Sequence, residues 1–243
     1  MGYADEFYTV IRSGDSSVYF PSNTPGDFYV RLPHMVELHG DWCVAVNEVW
    51  VIKQWYNVRN AYIEVCLSGV EYDKWAIPSG YYVDNSWLVQ GLNSVANNAS
   101  EGCASFTYNS LNHRMYISTK PGVKVKLSPN LCVLAGCEPG TVITGSWVTD
   151  NAMDVSKDQR IMYIHTDMIA GQLFSDNILP VLKVLDTSYA DFGEMVHDNI
   201  VSTYANVVRK TFDVIHIEIR DSSGELIKFE GGMVMIQLHF RRR

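Results

Sequence analysis

His165-Thr166-Asp167 closes a run, 161–165, that reads as a strand, and it is the pairing in this chain best placed to move a proton or hold a cation. A strand-end histidine beside a loop aspartate is also the ordinary pattern of a satisfied surface pair. His216 and His239 fall on the polar faces of two further strand-like runs, where cross-strand neighbours would meet. Cys132 and Cys137 flank the end of a short helical stretch, but nothing cationic precedes them to favour a thiolate. The aromatic residues of 49–62 have the flat faces needed to stack on bases or sugars, and equally the bulk that cores and interfaces use. The devices that usually announce an enzyme are missing: no GxSxG elbow, no Walker loop, no GxGxxG after a strand, no HExxH. No catalytic residue, cofactor or metal is expected, and the reading is of a non-enzyme.

The elements that would position these residues are mostly strands. In 210–220, Ile215, Ile217 and Ile219 share one face while His216, Glu218 and Arg220 share the other. In 233–240, Val234, Ile236, Leu238 and Phe240 alternate in the same way. With turn-forming residues at 221–224 and Gly231-Gly232 between them, the two runs read as a C-terminal antiparallel hairpin. Residues 7–11 and 28–32 are shorter strands, the second cut off by Pro33. The stretch 42–56 is apolar on both faces and reads as a central strand. Strands at 62–67, 161–165 and 180–185 complete the set, and 186–201 reads as a long surface connection.

Between them the texture changes. Asp84 or Asn85 is placed to cap a helix over 86–96, and 104–108 with 114–119 reads as a hairpin. After a strand at 123–127, Ser128-Pro129 opens a second helix that Gly136 closes. The expectation is a mainly β, antiparallel β-sandwich: residues 1–81 supply its N-terminal strands, 82–137 form a small α+β insertion, and 138–243 complete it.

With 243 residues the chain can bury a large core, and its formal charge of -8 argues against a coat for nucleic acid. Arg241, Arg242 and Arg243 are the local exception, the one expected contact with an acidic neighbour or a genome. The odd number of cysteines, without CxxC spacing, points to free thiols rather than a disulfide framework or zinc site. No apolar run is long enough to cross a bilayer, and no secretion signal follows Met1. The 14 tyrosines suit half-wet contact surfaces.

Ordered blocks then carry a resemblance. They are 19–33 (YFPSNTPGDFYVRLP), 38–48 (LHGDWCVAVNE), 55–58 (WYNV), 127–131 (LSPNL), 162–169 (MYIHTDMI), 209–212 (RKTF), 217–221 (IEIRD) and 229–234 (FEGGMV). In order and spacing they resemble the minor capsid, penton-like proteins of Polinton/Maverick-type elements and adinto-like viruses. Two departures, Cys137 after Gly136 and the run 170–174 after Met168, fall in loops. The resemblance implies a jelly-roll-like protein that self-associates as a homopentamer at the five-fold vertices of a virion. Its partners would be a double jelly-roll major capsid protein and a fibre or other vertex protein, with no membrane. Trp50, Trp55, Tyr56 and Tyr62 are the expected interface aromatics. The alternative is a receptor- or glycan-binding fibre-type module of the same kind of virus or element.

Overall fold

Alternating β-branched and polar residues dominate the chain, and strands dominate the result. The computed structural model describes residues 5–67, 69, 71–100, 102–157, 159–174, 176–200 and 203–243. In chain order the strands begin with β1 (Glu6–Arg12), β2 (Asp27–Glu37), β3 (Trp42–Ile52), β4 (Tyr62–Cys66) and β5 (Asp73–Ala76). Helix α1 (Asn85–Ser100) precedes β6 (Ala104–Asn109), β7 (Arg114–Thr119), β8 (Lys124–Leu127) and helix α2 (Pro129–Ala135). Then come β9 (Ser146–Val148), β10 (Ile161–Thr166), β11 (Gln172–Phe174), β12 (Asn177–Leu179) and β13 (Val181–Asp186). The chain closes with β14 (Met195–Asp198), β15 (Ala205–Asn206), β16 (Thr211–Arg220) and β17 (Val234–Arg242).

The chain divides into two units, Met1–Trp55 with Asp158–Arg243, and Tyr56–Lys157, each with its own core. In the first unit, one sheet has the order β1-β17-β3-β14, with β15 also on β3, and the other β13-β10-β16-β2. All pairings are antiparallel, and they nest: β1 with β17, β2 with β16, β3 with β14, β10 with β13. A two-ply ribbon wrapped so that successive plies alternate between two sheets is a jelly roll. Val44, Val46, Ile236 and Leu238 of one sheet and Val30, Ile164, Ile215 and Ile217 of the other contribute to one core. β3 is central, as its two apolar faces require.

Four expectations are corrected. β16 and β17 are not a hairpin but belong to opposite sheets, and residues 221–233 carry the chain across. Period-2 alternation shows that one face of a strand is buried, but not which sheet buries it. β2 runs through Pro33: its partners jump from Arg31–Val214 to Phe212–Val36, so residues 32–35 bulge out opposite Asp213 and the missing N–H costs no ladder bond. The connection 186–201 contains β14, whose one fully buried residue, Val196, is too short a signal to see. The 62–67 strand does not join the sandwich. As β4 it pairs with β5 and β8 inside the second unit, which therefore runs wider than 82–137.

In that second unit α1 begins where Asp84 Oδ1 accepts the Trp87 N–H at 3.0 Å, and its Leu88, Leu92 and Val95 are buried. α2 starts with Pro129 at its first position and ends at Gly136, whose φ of 80° is left-handed. Ser128 Oγ does not cap the helix but accepts the Tyr62 N–H at 3.2 Å, tying α2 to β4. β6, β7 and β9 form the unit's other small sheet.

Candidate interaction surfaces

The four expected interface aromatics separate. Trp55 is 1 % exposed and sits in the core of the first unit, edge-on to Phe229 at 5.2 Å. It presents no surface to a partner. Trp50 lies half-buried on the outer face of its sheet, stacked on His197 at 5.0 Å. In the second unit, Tyr56 lies under the Arg59 guanidinium at 5.2 Å and Tyr62 under the Lys74 amine at 4.5 Å, both rings half-buried. These three remain open to contact along one ring face or edge.

The arginines at 241–243 are exposed but do not form a loose tail. Arg241 and Arg242 are the last residues paired in β17. The Arg241 guanidinium covers Tyr204 at 4.2 Å, and Arg242 faces Asp5 at 3.9 Å. The Arg243 N–H donates to the Asp41 carbonyl at 2.9 Å. Strand pairing fixes where these charges point.

His165 and Asp167 do not act as a pair. Asp167 takes the Arg209 guanidinium on one oxygen and the His216 N–H on the other. His165 turns onto the outer face of the second sheet, opposite Glu218. Burial, and secondarily Arg220, holds its pKa below the ordinary histidine value, against a smaller opposing pull from Glu218.

His216 and His239 are not neighbours, because their strands lie in different sheets. Each meets a carboxylate and an aromatic ring instead. His216 Nε2 is 2.8 Å from Asp27 Oδ1, and its ring stacks on Tyr29 at 4.0 Å. His239 Nε2 is 3.2 Å from Glu6 Oε2, its Nδ1 is 2.7 Å from the Tyr204 hydroxyl, and its ring stacks on Tyr8 at 4.2 Å. His197 repeats the arrangement more loosely, with Trp50 and with Glu48 at 3.9 Å. Nothing in the sequence signals these sets, because the partners lie on distant strands.

Asp27, His216 and Glu218 bring donor atoms within 4.8 Å of one another, the one set among the described residues with the means to hold a metal ion. Arg220 Nε and Nη2 already hold Glu218 Oε2, at 3.0 and 2.9 Å, so a cation there would sit beside a guanidinium's charge. All five cysteines are free and buried. The Cys132 thiol is pulled down by a hydrogen bond with Cys137, whose own thiol is pushed far up by the same bond and by burial. A reactive pair needs access as well as a lowered thiol, and neither side chain has it.

The β11–β12 hairpin exposes two aliphatic side chains as a cross-strand pair. Leu173 and Ile178 face each other across it at 87 % and 70 % exposure. Sequence reading missed this pair, since two three-residue strands give no pattern to count.

No family model and no curated protein matches the sequence. Among solved structures, the chain is similar to the mavirus penton protein at 12% identity, over 98% of this chain and 99% of that one, with a TM-score of 0.48. It is also similar to the D2-D3 domains of the flagellar cap protein FliD from Escherichia coli, at 12% identity, over 95% and 98%, with a TM-score of 0.18. At these values the jelly roll stands on its own strand pairing.

Proposed function

We infer that the chain is a structural capsid protein whose copies close into five-membered rings at the vertices of a virion. The observation that carries this reading is the nested eight-strand pairing of the first unit, the architecture that the ordered motif blocks call for. The absence of catalytic motifs in the sequence agrees with it. In a ring, one surface of each copy meets a different surface of the next, and the rotation must close. Such contacts bury on the order of 1,000 Å² or more when stable. The exposed Leu173–Ile178 pair and the half-buried Trp50 offer apolar area on the first unit for this contact. Arg241, Arg242 and Arg243 are the expected contact with an acidic neighbour or the genome, and a double jelly-roll major capsid protein is the expected flanking partner.

Native mass spectrometry at assembly concentrations, followed by electron microscopy of the rings, tests the reading. Pentamers are expected. Trimers would support the fibre-type module instead, and a monodisperse monomer would overturn the vertex assignment.

A further inference from the structure

On the outer face of the second sheet lies a concavity of about 660 Å³. Cross-strand register builds its floor, with Tyr163 opposite Arg220 and His165 opposite Glu218. The β11–β12 hairpin supplies one wall through Phe174 and Asn177, and the turn 221–224 supplies another. The Phe174 and Tyr163 rings meet edge to face at 5.1 Å. His165 lines this space at 7 % exposure, and neither ring nitrogen hydrogen-bonds to any described residue. A side chain so largely buried, whose ring nitrogens make no hydrogen bond to a described residue, has a donor and an acceptor to offer whatever occupies the concavity.

The charges around it are already committed. Arg220 gives Nε and Nη2 to Glu218 and Nη1 to the Gly224 carbonyl at 2.7 Å. Asp221 Oδ1 accepts from the Ser223 N–H, the Ser223 hydroxyl and the Glu225 N–H. Asp176 takes the Asn177 amide at 2.8 Å. One oxygen of each carboxylate is thus held, and an anion meets three acidic side chains against one arginine. The uncharged groups facing the space are an imidazole with one donor and one acceptor, the Tyr163 hydroxyl, the Asn177 carbonyl and two aromatic rings. The size is that of a small-ligand site.

We propose that this concavity binds a neutral saccharide. The C–H face of one sugar ring lies against Phe174 and Tyr163, and His165 exchanges hydrogen bonds with its hydroxyls, which both donate and accept. The inference does not rest on the vertex reading, since a monomer would carry the same site.

Saturation-transfer NMR on the full chain tests it, with the methyl glycosides of glucose, galactose, mannose and N-acetylglucosamine as probes. Sialyllactose and an N-acetylated lysine amide serve as charged controls. At least one neutral glycoside is expected to receive saturation and to shift the His165 imidazole resonances. Phe174→Ala and His165→Phe are each expected to weaken that binding by about tenfold or more, as loss of one good contact does. Should His165→Phe misfold, the Phe174→Ala variant and the wild-type histidine shifts still decide. No transfer to any neutral glycoside, binding indifferent to Phe174→Ala, or preference for either charged control would overturn the proposal.

Discussion

Gly136 shows how much a single residue can hold. It ends α2 with a left-handed φ of 80°, and a Cβ there would stand 2.5 Å from the Asn151 carbonyl oxygen and 2.8 Å from that of Ala152. Both atoms are backbone and have little freedom to yield. Gly136→Ala is expected to destabilise the protein by at least about 1–3 kcal/mol from the strained dihedral alone. Chemical denaturation followed by tryptophan fluorescence would read this, and an unchanged midpoint would show that the turn relaxes freely. His165 makes a second prediction, in pH. Its folded-state pKa lies below the ordinary 6.5, so the folded state binds fewer protons than the unfolded chain between those two values. Stability should therefore rise with pH through that window and fall on acidification. The charged and titratable groups that line the same concavity are Tyr163, Asp176, Glu218, Arg220 and Asp221. Comparing melting temperatures of wild type and His165→Gln from pH 7.5 to 5.5 cancels the other histidines. Wild type should lose more on acidification, and parallel curves would remove the basis for a neutral imidazole there.

At the scale of elements, β17 is the strand on which the first sheet depends. It lies between β1 and β3, with Val234, Ile236, Leu238 and Phe240 all fully buried. Phe240 stacks on Phe7 at 4.7 Å and on Phe212, from the opposite sheet, at 5.8 Å. Phe240→Ala is expected to cost about 3–5 kcal/mol. Deleting residues from 233 onward removes four such side chains, each worth roughly 1.5–3 kcal/mol, and should abolish soluble folding. A truncated chain with the wild-type melting curve would refute this. The inward residues of this strand were readable from alternation alone; both helices, the Gly136 cap and the β6–β7 hairpin were readable from local spacing, and the first helix start to within Asp84 or Asn85. Those signals are local. Strand pairing is not: the sequence of β17 cannot say that its neighbours are β1 and β3 and not the nearby β16. The same limit hid the concavity at His165, because Tyr163, Phe174 and Arg220 meet only through register and a folded-over hairpin.

For the whole molecule, the ring reading makes the Leu173–Ile178 pair testable. Both side chains are exposed, so Leu173→Ser combined with Ile178→Ser should leave stability within the range of ordinary surface changes, about 0.5 kcal/mol. If this hairpin face joins neighbouring copies, the pentamer should fall to monomer in native mass spectrometry. Intact pentamers in the double variant would move the contact elsewhere, Trp50 being the next residue to change.

The nested ribbon also sets a timetable for the chain as it is made. None of β1, β2 and β3 pairs with another of the three; their partners are β14, β15, β16 and β17, and the earliest of these begins at Met195. At a synthesis rate of about 5–20 residues per second, some 7–30 s pass between the emergence of β3 and that of its first partner. Throughout that interval three strands rich in valine and aromatic residues wait with open edges, the condition under which nascent chains stick to one another. The unit Tyr56–Lys157 can finish meanwhile, since among the described residues its strands pair only within it. β17, which lies between β1 and β3, emerges after all its partners, and pairings of such long separation make for slow folding. Crowded translation of this chain should therefore lean on holdase chaperones far more than its finished stability would suggest.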